Sequence, residues 1–194
     1  MNGIQVKDKR QTGFGNFLLG LIQIILNPAQ GWLDADRDGC YFRQLLVKGL
    51  FPFLILVSLS ALMGVVYRIM PLTEAIIKGV LDLSGYFVSV YICEYFLEWA
   101  MNKWVQPKKN NSNNRMTFVL YTIGAMAFIT LLNNIFPVDL ALLSFLPLYI
   151  LYIIWWGKDY MGVPQERNTQ YMAVTICTLF LPPYILSYCL SILL

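Results

Sequence analysis

Long apolar runs separated by short polar links dominate the chain. Five of them, Leu45–Met70, Ala75–Met101, Met116–Phe136, Val138–Trp156 and Tyr171–Leu194, are each long enough to cross a bilayer as a helix. About 20 residues, at about 1.5 Å rise each, cover the hydrocarbon core. The pattern predicts an all-α integral membrane protein with five transmembrane helices, spanning residues 45–194. Ahead of them, in residues 1–44, Phe14, Phe17, Leu18, Leu21, Ile22 and Ile25 recur at helical spacing, with Asn16, Gly20, Gln23 and Asn27 largely between them. Phe14–Leu26 is too short to span and suits an amphipathic helix lying in the membrane interface. No small-residue cleavage site follows it, so a removed signal peptide is not expected.

Composition supports the membrane reading. Hydrophobic residues make up 58% of the chain and charged residues 13%, where a soluble domain carries about 25% charged. The charges are also sorted by side. Twelve Lys and Arg fall in residues 1–49 and in the links around 102–115 and 157–170, which lie on one face of a five-span protein. Arg68 and Lys78 are the two on the other face. This asymmetry predicts a cytoplasmic N-terminus and an external C-terminus, in a bacterial inner membrane. It also accounts for the net charge of +3 without a nucleic-acid partner. Trp99, Trp104, Trp155 and Trp156 fall near the predicted cytoplasmic ends, as an aromatic belt does.

Three segments resemble the Yip1-domain family in its bacterial branch. The first is Asn27-Pro28-Ala29-Gln30-Gly31-Trp32 after the apolar helix. The second is Leu50-Phe51-Pro52-Phe53, opening the first span, with Ser60-Ala61-Leu62-Met63-Gly64 near its far end. The third is Leu151-Tyr152 and Gly157, then Met161-Gly162-Val163-Pro164 and Arg167, linking the last two spans. The family's architecture is similar to the five spans and cytoplasmic N-terminus expected here. Its eukaryotic members are implicated in vesicle traffic and bind Rab-type GTPases. Bacteria have no Rab, so the resemblance implies no such partner and brings no catalytic residues. Read physically, Asn27-Pro28 ends the first helix, because the residue before proline disfavours the helical region. Trp32 then sits near the membrane surface, and Ser60 with Gly64 offers a small surface for close helix approach.

The chemistry available is limited. The chain has no histidine, and it contains neither a Walker A sequence nor G-x-G-x-x-G, so it is not expected to be an enzyme or to hold a cofactor. Cys40, Cys93, Cys177 and Cys189 form no C-x-x-C and read as small apolar residues. Asp34-Ala35-Asp36-Arg37-Asp38-Gly39 opens like an EF-hand loop, but its twelfth position is Leu45 where a bidentate Glu is needed. Asp34, Asp36 and Asp38 therefore read as a polar surface turn and not as a metal site. Asn110–Asn114 reads as a polar loop.

The membrane-embedded acids are the functional candidates. Glu74, Lys78 and Asp82, at i, i+4 and i+8, can form a charge ladder. Glu94 and Glu98 share a face, with Lys103 the nearest cation on their own helix. Two readings stay open: a protonated Glu94 bonding hydroxyls of another helix, or an ion or proton site. The second would have Glu94 share a cavity with a break at Pro182-Pro183, where two carbonyls lose their donors. The leading functional expectation is a non-enzymatic membrane protein acting through lipids, a membrane-protein partner or a second copy of itself. A small ion or solute transporter using Asp82, Glu94 and Glu98, and an accessory subunit of a larger complex, are the alternatives.

Overall fold

The computed structural model describes residues 13–38, 41–108, 111–136 and 141–193, and within these every regular element is helical. Phe14–Leu26 (α1) and Pro28–Asp38 (α2) form a hairpin hinged at Asn27. Asn27 leaves the helical region at φ −143°, and its Oδ1 accepts from Gln30 N at 3.3 Å, with Pro28 at the first helical position of α2. Asn before Pro is thus both the end of one helix and the cap of the next. Gly31 makes the hairpin tight, since a Cβ there would lie 2.7 Å from the Ile24 backbone.

The first rod runs Phe42–Val66, through Phe42–Leu45 (α3), a π-helical turn at Leu46–Leu50, Phe51–Ser60 (α4) and Met63–Val66 (α5). The wide turn ends with Phe51 N–H bonding Leu46 O, and Pro52, which has no N–H to offer, follows it. Leu72–Ala100 (α6) continues through a second π turn to Val105, a rod of 34 residues or about 50 Å. It stops where Gln106 takes the left-handed conformation (φ 50°) before Pro107. Ser112–Ile135 (α7), Ala141–Tyr160 (α8) and Asn168–Leu193 (α9) complete the bundle.

Four rods, Phe42–Val66, Leu72–Val105, Ser112–Ile135 and Gln165–Leu186, are long and apolar enough to cross a membrane. The expected fourth span lies within α8, a 20-residue helix antiparallel to α7, of which Val138–Leu140 falls outside the described residues. Neighbouring rods alternate in direction. One end of the bundle gathers Phe42, Glu98, Trp104, Asn113, Arg115 and Arg167. The opposite end gathers Ser60, Tyr67, Lys78, Asn134 and Ile135. The first, with Arg115 and Arg167, is the basic end.

The buried core runs between the rods, with α7 at its centre: residues from Thr117 to Ala127 are buried in sequence. α1 lies across this bundle. Phe17 meets Gly49 and Phe53 of the first rod, Leu21 meets Gly124 of α7, and Ile25 O accepts from Tyr149 of α8 at 2.7 Å. Its inner stripe, Phe17, Leu21 and Ile24, is fully buried, while Leu19, Ile22 and Leu26 face outward. The expected helix is present; its buried stripe docks on three rods, and Asn16, Leu19, Ile22 and Leu26 are exposed on the other side.

Several local expectations are overturned. Asp34, Asp36 and Asp38 do not form a turn, because α2 continues to Asp38. Of the expected Asn110–Asn114 loop, Asn110 lies outside the described residues, Ser112–Asn114 are helical, and Asn111 caps α7 by accepting from Asn113 N at 3.1 Å. α9 passes Pro182-Pro183 as one unbroken helix. Its neighbours hold it in place and supply a donor to one released carbonyl, as Cys93 Sγ approaches Leu179 O at 4.0 Å. Gly64 faces Met70 of its own connection, and the close helix approach falls instead at Gly79, whose Cβ would lie 2.7 Å from Ser58 O.

Candidate functional sites at the two ends of the bundle

At the basic end, sequence-distant segments converge on an aromatic core. Trp32 is a core residue and not an exposed anchor. It is 2% exposed, its Nε1 donates to Ile153 O at 3.0 Å, and its ring packs on Phe118, Tyr121 and Tyr160. The indole needs a polar partner in the core, and the α8 carbonyl supplies one. Gly157 admits the other face of Phe118, since a Cβ there would lie 2.3 Å from that ring. Pro164 precedes the single 3₁₀ turn Gln165–Arg167, and Arg167 Nη1 donates to Trp104 O at 3.1 Å. Trp32 and Gly157 thus pack against the same Phe118 ring, Asn27 and Pro28 form the α1–α2 hinge, and Pro164 and Arg167 belong to the α8–α9 connection. Pro52 belongs to the first rod, and Tyr152 faces outward on α8, 47% exposed.

Glu94 and Glu98 also lie at this end, and their partner comes from another helix. Arg115 Nη2 is 2.7 Å from Glu98 Oε1 and 3.8 Å from Glu94 Oε1. The Arg115 side chain is 4% exposed, that of Glu94 16% and that of Glu98 47%. Glu94 therefore faces a guanidinium and not the hydroxyls of another helix, and it is not among the residues lining the groove that holds Pro182. Three side chains form one structural ion cluster that pins the start of α7 to α6. Sequence reasoning missed it because Arg115 stands within a polar stretch, twenty-one positions from Glu94, that reads as loop.

Asp34 is likewise committed, accepting from Gln23 Nε2 and from Gln30 Nε2 (3.0 Å), with Arg37 at 3.7 Å. Among the described residues, no group of three His, Cys, Asp or Glu could hold a metal.

The third acid behaves differently. Asp82 does not join the expected ladder: Lys78 Nζ donates instead to Asn134 Oδ1 at 2.7 Å, and Asn134 Nδ2 donates to Ser60 Oγ at 2.9 Å. Asp82 lines a cavity of about 260 Å³ between α6, α7, α8 and α9, with Tyr86, Thr130, Asn133, Pro147, Phe180, Pro183 and Tyr184 among its walls. Its Oδ2 is buried without a hydrogen-bond partner. The acid that shares a cavity with an α9 proline is thus Asp82, beside Pro183, and not the expected Glu94 beside Pro182.

Pro182, one position earlier on α9, faces the opposite way. It lines an apolar groove of about 760 Å³ between α6 and α9, together with Ile92, Phe96, Cys177, Leu181 and Ile185. Trp99 and Trp104 close its basic end, with Lys103 Nζ 5.0 Å and 5.6 Å from their ring centroids. Cys177 and Cys189 are free and exposed on the outer surface of α9, and Cys93 is free and buried. No protein-family model, curated protein or solved structure matches the chain.

Proposed function

We propose that the chain is a non-enzymatic, multi-pass membrane protein of Yip1 type that acts by binding membrane lipid. The observation that carries this reading is the α6–α9 groove. Its walls are apolar along Ile92, Phe96, Leu181 and Ile185, which suits an acyl chain. Its end is polar and cationic. Lys103 lies over Trp99 and Trp104, and Arg167 holds the Trp104 carbonyl. Indoles with flanking cations suit the headgroup level of an anionic phospholipid. The protein would sit in a bacterial inner membrane with the basic end cytoplasmic, because twelve of fourteen Lys and Arg fall in the sequence segments expected on that side. Two of the segments on which the family resemblance rests meet where Trp32 stacks on Tyr160.

Native mass spectrometry of the protein purified in mild detergent tests the lipid reading. Retained phosphatidylglycerol or cardiolipin, depleted in a Lys103→Gln/Arg167→Gln variant that still folds, is the expected result. Equal lipid retention by parent and variant would remove the basis of the proposal. Reporter fusions at Ser112 and Leu194 test the orientation, with opposite locations expected.

A further inference from the structure

The carboxylate of Asp82 has an environment that the lipid reading does not use. It stands ten residues into α6, about 15 Å along the rod from Leu72. An ionised carboxylate at such depth requires compensation. The cation one turn away, Lys78, is engaged by Asn134, and no ion pair joins Asp82 among the described residues. Tyr86 and Thr130, which share the cavity, bond each other at 2.7 Å and leave Asp82 Oδ2 without a donor. Nothing else on the cavity wall carries charge.

We infer that this cavity binds a small alkylammonium ion, with its N–H groups donating to Asp82 Oδ2 and its alkyl part against Tyr86, Phe180 and Tyr184. A monovalent cation in the cavity would meet the carboxylate directly, which Lys78, held by Asn134, does not. The surroundings select its kind. Calcium and magnesium demand six or more oxygens, or a mostly hydrated octahedron, whereas the side-chain oxygens on this wall are the Asp82 carboxylate, the Asn133 amide and the Tyr184 hydroxyl, with the Thr130 and Tyr86 hydroxyls paired to each other. Aromatic walls attract an ammonium through their faces and accept its methylene groups at the same time. Volume agrees: a single water occupies about 10–15 Å³ by the same measure, so a cavity of about 260 Å³ has room for several carbon atoms beside the charged nitrogen. Asn133 and Tyr184 are exposed and form its mouth near the end of α7, on the side opposite the basic end. A ligand would arrive there without crossing the aromatic core. Pro147 of α8 and Pro183 of α9 both face the same space.

The test uses the full chain in nanodiscs. Propylammonium chloride is titrated while thermal stability and calorimetric heat are followed, with sodium chloride and propanol as controls for charge and for alkyl volume. Saturable stabilisation by propylammonium and by neither control is expected. Asp82→Asn keeps the shape and should weaken the interaction on the order of tenfold or more, the value of one charge-assisted hydrogen bond. Tyr184→Ile, at a position 64% exposed, should leave the fold intact and weaken it less. Glu94→Gln, outside the cavity, should bind as the parent does. Absence of saturable binding in the parent, equal response to sodium, or full binding by Asp82→Asn would each overturn the inference. None of these results depends on whether lipid occupies the α6–α9 groove.

Discussion

Removing Arg115 tests the account of Glu94 and Glu98 directly. The guanidinium is 4% exposed and lies 2.7 Å from one carboxylate and 3.8 Å from another. Two opposite charges about 4 Å apart attract by about 4 kcal/mol at an effective dielectric of about 20. Desolvating the cation offsets much of that, so the intact cluster contributes little net stability. Breaking it is another matter. Arg115→Met leaves two carboxylates at i, i+4 on one face, one of them mostly buried, and should cost about 3–5 kcal/mol. Glu98→Gln should cost about 1 kcal/mol or less, because that side chain is 47% exposed and water screens it. Glu94→Gln should stay within about 1 kcal/mol of the parent, since Arg115 keeps its closer partner while a buried charge is removed. The triple variant Arg115→Met/Glu94→Gln/Glu98→Gln should recover most of the loss. Reversible unfolding in mixed detergent micelles, followed by tryptophan fluorescence, gives the ranking. An Arg115→Met protein as stable as the parent, or one less damaged than Glu98→Gln, would refute the cluster as an energetic unit.

Three further outcomes follow from the packing. Gly157→Ala should destabilise by about 1–3 kcal/mol in the same assay, because its new methyl meets the buried Phe118 ring at 2.3 Å. Trp32→Phe should cost about 1–3 kcal/mol, through the lost bond to Ile153 O and the smaller ring; an unchanged midpoint would contradict a buried, hydrogen-bonded indole. Calorimetry with micromolar calcium should give no saturable heat that depends on Asp34, because Gln23 and Gln30 already occupy its oxygens.

Much of the architecture was legible in the chain. Apolar run length and helical periodicity determine which segments become helices, since a backbone in lipid has to satisfy its own hydrogen bonds. The same local logic explains Asn27-Pro28 as a helix junction. What the sequence could not show was facing. Trp32 looked like a surface anchor because an indole suits either an interface or a core, and only the α8 carbonyl and the gap left by Gly157 decide for the core. Glu94 looked alone because its partner belongs to another helix. Asp82 looked paired because Lys78 lies one turn away, yet Asn134 from α7 holds that ammonium instead. The expected break at Pro182-Pro183 failed for a related reason: proline removes local bonds, but whether the helix opens depends on neighbours that the local sequence does not contain. Charge, burial and cavity are relations between rods, fixed by which residues come within a few ångströms across the bundle. They are therefore decided by the tertiary structure, while the rods themselves are decided by the chain.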